Sequence, residues 1–167
     1  MFSHMAVMYA NALYKRGFVH AGHRVLDTLY KHSSDIDKSK IYPGIPEYVD
    51  ARGRGMYHYL TGSASWLILT EVSEVFGIKS DLGRLILEPK LLESQFDSNG
   101  VASIKTLVNG KTTTIRYHNP ERLDYPDYRI DTIKANDLNI KFDWLENKAY
   151  IADVLDHKTI DVYLGNR

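Results

Sequence analysis

The sequence predicts an α+β chain, with a helical first part and a β-rich second part that meet near residue 80. Two observations carry this. Up to that point apolar residues recur at helical spacing; beyond it, short β-rich runs alternate with turn signals. The dipeptide Asn109-Gly110 between two such runs adds a strong hairpin signal. The expected organisation is two domains, residues 1–78 and 79–167, with about three helices in the first and a small antiparallel β-sandwich-like arrangement in the second.

The first helix is expected over about Ser3 to Arg16, with Met5, Met8 and Ala12 on one face, ending at Gly17. A second is expected from about Ala21 to Lys31, with Val25, Leu26 and Leu29 facing a core. A polar stretch, His32 to Lys40, leads into an irregular segment, Ile41 to Leu60. Pro43, Gly44, Pro46, Gly53 and Gly55 exclude a regular element there, and so long a loop is usually functional. The third helix is expected from Gly62 or Ser63 to Phe76. Trp66, Leu67, Ile68, Leu69, Val72 and Val75 make it apolar on nearly every face, so it needs neighbours on several sides. Strands are expected at Leu85–Leu87, Ala102–Val108, Thr112–Tyr117, Tyr128–Ile133 and Ile140–Trp144. Lys148–Val154 and Thr159–Leu164 form a last pair, with turns at Glu146-Asn147 and Asp156-His157.

Three helices cannot enclose one that is apolar all round, and the chain begins almost inside its first helix. Both features fit a piece of a larger helical domain, or a chain that pairs with another. The alternative is a small α+β domain whose own sheet covers that helix.

Lys and Arg balance Asp and Glu at 21 each, which argues against nucleic-acid or membrane-surface binding, since both need a basic face. With no cysteine there is no disulfide framework, Cys-based zinc site or thiol nucleophile. The amino terminus does not read as a secretory signal, and no run approaches the roughly 18 apolar residues of a membrane span. The expectation is a cytoplasmic protein without a membrane segment. The histidines lack metal-ligand spacing, and no nucleophile elbow, Walker loop or dinucleotide fingerprint occurs.

Chemistry concentrates in Tyr59-Leu60-Thr61-Gly62-Ser63-Ala64-Ser65-Trp66, where a glycine-containing turn runs straight into the apolar helix. Backbone N–H groups at a helix start are unpaired and the helix dipole favours an anion there. Gly62 allows close approach, while Thr61 or Ser63 can supply a hydroxyl. The same residues also read as ordinary helix capping. Arg52 and Arg54 have the donor geometry for an oxyanion, or are solvated loop charges. Glu47 can accept from sugar hydroxyls, or face water. His4 can donate to a phosphate oxygen, or face solvent. Asp35 and Asp37 lie in a polar stretch with nothing to raise a carboxyl pKa, so the acid and base pair of a glycoside hydrolase is not visible.

The stretch "IYPGIPEYVDARGRGMYHYLTGSASW" resembles the carboxy-terminal part of glycoside hydrolase family 94, the inverting phosphorylases of cellobiose, chitobiose, cellodextrins and β-1,2-glucans. "FSHMAVMYANALYKRG" is similar to one of that family's last barrel helices, and "FGIKSDLGRLILEPKL" to its exit into a final β domain. The likeness covers about residues 2 to 92. It is most specific in "GRG…YLTGSASW" and looser beyond residue 92, where "YHNP" at 117–120 is similar to the β-1,2-glucan and cyclic-glucan branch.

The resemblance implies that the helices are the end of an (α/α)6 barrel. It implies that His4, Thr61 and Gly62 bind phosphate and that Glu47 helps hold sugar or phosphate. The general-acid aspartate belongs to an upstream barrel loop that nothing here matches. The implied reaction is phosphorolysis of a β-linked gluco-oligosaccharide to an α-sugar 1-phosphate, a hexosyl transfer. Inorganic phosphate is co-substrate and no cofactor or metal is implied. The chain alone would be inactive, acting as a homo-oligomer or with a missing amino-terminal half. Other expectations are a truncated carbohydrate- or anion-binding module, or a structural remnant that oligomerises through residues such as Val7, Tyr9 and Trp66.

Overall fold

The computed structural model describes residues 1–41, 43–145, 147–152 and 158–167. The chain contains both helices and sheets, and divides into two compact units, Met1–Glu74 and Val75–Arg167.

In the first unit, α1 (Ser3–Lys15) packs on α2 (Val19–Ser34) and on α4 (Gly62–Thr70). The buried stripe of α1 is Ser3, Val7, Ala10, Asn11 and Tyr14, one helical face in steps of three and four. The Met5–Met8–Ala12 face is not the buried one, Met5 being 56% exposed, and Val7, expected on an oligomerising surface, is corrected to a fully buried residue. The polar Asn11 lies inward because its side chain has a partner there, whereas the buried Ser3 hydroxyl has none among the described residues. Asn11 donates to Thr70 Oγ1 of α4 at 3.1 Å, and Thr70 donates back to Trp66 O at 2.7 Å.

The stripe of α2 is Val19, Gly22, Leu26, Leu29 and Ser33, with Val25 at its margin. The helix continues into the expected polar stretch as far as Ser34, helped by the Asp27–Lys31 pair. Asp35 then caps a one-turn helix, α3 (Ile36–Ser39), by accepting from Asp37 N and Lys38 N. The long loop that follows holds a short ladder of β1 (Tyr48–Val49) and β2 (Gly55–Met56). Residues within α4 bury Ser63 and Thr70 and leave Ile68 and Leu69 exposed. The α-helix ends at Thr70, short of the expected Phe76, and a π-helical turn covers Glu71–Val75.

In the second unit a four-stranded antiparallel sheet has the order β3-β4-β10-β9: β3 (Ile78–Asp81), β4 (Arg84–Leu87), β9 (Asp143–Leu145) and β10 (Lys148–Ile151). A five-stranded sheet has the order β5-β6-β11-β7-β8: β5 (Val101–Val108), β6 (Lys111–His118), β7 (Tyr128–Ala135), β8 (Leu138–Asn139) and β11 (Thr159–Asn166). The Asn109-Gly110 hairpin forms between β5 and β6, both turn residues having positive φ (48° and 77°) as this turn type demands.

Two expectations are corrected. The unit is not wholly antiparallel, because β11 pairs in parallel with β6. Nor are the last two strands partners. β10 pairs with β4 and β9, while β11 lies between β6 and β7, where Ile160, Val162 and Leu164 are buried. The expected strand Ile140–Trp144 is divided between β8 and β9, which join different sheets. Val154 and the turn residues Glu146, Asp156 and His157 lie outside the described residues.

Candidate functional site

The candidate site forms where the first turn of α1, the residue before β1 and the start of α4 meet. Backbone bonds stitch them together. Ser3 N donates to Glu47 O at 2.9 Å, Val49 N to Met1 O at 2.9 Å, and Glu47 N to Met56 O and Tyr57 O at 3.1 and 2.9 Å. Glu47 is thereby held facing α1 on one side and α4 on the other.

Its carboxylate joins the two helices. His4 Nδ1 lies 3.0 Å from Glu47 Oε1. Glu47 Oε2 accepts from Ser63 N at 3.0 Å and, more weakly, from Ser63 Oγ at 3.3 Å; the same hydroxyl also donates to Pro46 O at 2.8 Å. Burial raises the Glu47 pKa. The Ser63 N–H, the His4 ring and the Ser63 hydroxyl together outweigh that and hold the carboxyl below its usual range. Glu47 is therefore ionised and can only accept, so the Nδ1 proton of His4 points at it. Nε2 is buried and has no hydrogen-bond partner among the described residues.

Gly62 is the seat of the His4 ring. A Cβ at residue 62 would come within 2.5 Å of His4 Cε1 and Nδ1, so any other side chain would displace the imidazole. Thr61 is the N-cap of α4. Its hydroxyl accepts from Ala64 N at 3.1 Å and donates to Ile45 O at 2.9 Å. The capping reading of Thr61 thus describes its side chain, whose one proton is committed to Ile45.

The four residues singled out in the sequence, His4, Glu47, Thr61 and Gly62, come together at one helix start. Ser63 was read only as a possible cap; its N–H and hydroxyl anchor Glu47. No local pattern links His4 to Glu47, whose contact spans 43 residues; only the resemblance put them at one site. Also unforeseen is a run of rings beside the site: Phe2 stacks on Tyr48 at 4.8 Å, Tyr48 meets Tyr57 edge-on at 5.9 Å, and Phe2 meets His4 edge-on at 5.7 Å.

Arg52 and Arg54 have exposed side chains, and their backbone N–H groups both donate to Asp50 Oδ1 at 2.8 Å. Glu71 is the carboxyl whose pKa burial pushes up to about 7. It lies nine residues beyond Gly62, which is roughly 13 Å along a helix axis and too far to act on a ligand at the α4 start. Among the described residues no group of three His, Cys, Asp or Glu could hold a metal ion, and no described helix is long and apolar enough to cross a membrane.

Compared with models of protein families and with curated proteins, the chain matches none.

Proposed function

We propose that the chain supplies the phosphate-binding part of an inverting β-glycoside phosphorylase of the family 94 type. In this reading the helices are the end of an (α/α)6 barrel and residues 79–167 its last β domain. The observation that supports it is the cluster at the α4 start: an imidazole seated on Gly62, oriented by Glu47, with Nε2 buried and unpartnered.

With Nδ1–H given to Glu47, Nε2 meets phosphate in one of two ways. As imidazolium it donates to a phosphate oxygen; as neutral imidazole it accepts the P–OH of hydrogen phosphate. Either interaction orients the ion and leaves another oxygen to attack. In the reaction a phosphate oxygen forms a bond to the anomeric carbon as the glycosidic C–O bond breaks on the opposite face, giving the α-sugar 1-phosphate. A general acid protonates the departing sugar oxygen. Phosphate brings its own nucleophile, so no base is needed. Within the cluster Glu47 is held ionised and Glu71 is too distant, so the reading places the general acid outside this cluster.

The test is phosphate binding followed by 31P NMR titration. Inorganic phosphate is expected to bind the wild-type chain and to weaken about tenfold or more in His4→Ala, the loss of one charge-assisted bond. The chain alone is expected to give no sugar 1-phosphate from β-gluco-oligosaccharides. Phosphate binding unchanged by His4→Ala would overturn the assignment.

A second reading rests on a specific observation: Glu47 already places a carboxylate at the α4 start. It then acts as an intramolecular cap and the cluster is structural. Absence of phosphate binding, together with a stability loss on removing the Glu47 charge, would favour this second reading.

A further inference from the structure

The first unit has a cleft of about 650 Å³ between the α3 end and β2; Tyr57, the last ring of the Phe2–Tyr48–Tyr57 run, lines it, and His4 does not. Its walls are Ile41, Pro43, Met56 and Tyr57, and its polar side chains are Lys40, Arg54, His58 and Asp50. The backbone that carries them is tied down. Asp50 accepts from the N–H groups of Arg52 and Arg54, Glu47 N donates to Met56 O and Tyr57 O, and His32 contacts Gly53 O at 2.7 Å.

Charge sets the chemistry. The two backbone N–H groups and the Arg52 and Arg54 guanidiniums hold the Asp50 carboxyl below its usual range. Among the lining residues that one negative charge stands against two cations, Lys40 and Arg54. Lys40 meets a long 3.8 Å contact to Asp37, which lies in the open. The cleft mouth is left with a cationic excess, with the His58 imidazole beside it. The volume is several times that of an inorganic ion and falls in the range of small-molecule sites, which pair apolar walls with a few polar groups.

We propose that this cleft binds a small phosphorylated organic molecule, with Lys40, Arg54 and His58 taking the phosphate and Ile41, Pro43, Met56 and Tyr57 packing on the organic part. It is a site separate from the α4 start and does not depend on the phosphorylase reading.

Calorimetry at low salt tests it with glucose 6-phosphate, glucose and inorganic phosphate as probes. Glucose 6-phosphate is expected to bind the full chain, to weaken roughly 10- to 100-fold in the double variant Lys40→Gln/Arg54→Gln, and to bind His4→Ala unchanged. Both substituted side chains are exposed, so the variants should fold, and circular dichroism confirms it. The His58 ring signals should shift on titration and disappear from the spectrum in His58→Asn. Glucose binding as tightly as its phosphate, affinity unchanged in the double variant, or no binding by the wild-type chain would each overturn the proposal. Loss of glucose 6-phosphate binding in His4→Ala alone would also overturn it, assigning the ester to the α4 start. Weakening of inorganic phosphate alone in His4→Ala reports on the other site and leaves this proposal standing.

Discussion

Replacing Glu47 by Gln removes one charge and little volume, and the structure sets the cost. Glu47 accepts charge-assisted bonds from Ser63 N and His4 Nδ1, each at 3.0 Å. Exchanging an ionised acceptor for a neutral amide lowers such a bond by about 1 kcal/mol, and the α4 start loses a further ~0.5 kcal/mol of favourable dipole interaction. The side chain is 17% exposed, so water recovers part of this, and the expected destabilisation is about 2 kcal/mol at neutral pH. The pH dependence follows from the depressed pKa of Glu47. A carboxyl with a folded pKa below its unfolded value stabilises above the unfolded value, about 4.3, and loses that contribution as pH falls through the folded value. The gap between wild type and Glu47→Gln should therefore be full at neutral pH, narrow below about 4.3, and close at lower pH. Urea unfolding followed by Trp66 fluorescence in a Trp144→Phe background reports on the first unit alone. A gap under about 0.5 kcal/mol at neutral pH, or one that persists unchanged into acid, would refute the assignment of Glu47 as the ionised link between α1 and α4.

Gly62→Ala should push the His4 ring off its seat, weakening phosphate binding about tenfold or more while α4 itself stays helical by circular dichroism, since Ala is the better helix former. Glu71 has the opposite linkage to Glu47: its pKa is raised to about 7, so stability falls as pH rises from the unfolded value towards that one. Glu71→Gln should then stabilise the chain above pH ~7, by up to about 3 kcal/mol, and change little in acid; denaturation midpoints across pH check this. Gly110→Ala meets no neighbouring atom but must hold φ near +77°, so it should cost about 1 kcal/mol of backbone strain, read as a lower melting temperature.

Local signals were legible where the chemistry is local. The Asn109-Gly110 turn, the helical periodicity before residue 80 and the change to strands after it all follow from neighbours within a few residues, and each has its counterpart in the structure. The hairpin of β3 and β4 was not legible, because its turn places Leu82 at positive φ, a conformation that leucine does not advertise. The inward face of α1 was not legible for a related reason. Asn11 and Ser3 are polar, and only the hydroxyl of Thr70, 59 residues away from Asn11, makes an inward Asn favourable.

By itself the sequence determined the class of the chain, the change from helical to strand patterning near residue 80, and the helix start at Thr61-Gly62 as a place suited to negative charge. Those follow from periodicity, glycine and the unpaired N–H groups of any helix start. The tertiary structure alone decided which negative charge stands there now, which strand lies beside which, and why residue 62 is glycine. A carboxylate from residue 47 and an imidazole from residue 4 converge there through long-range packing. Parallel pairing of β11 with β6 likewise joins segments that no local pattern relates.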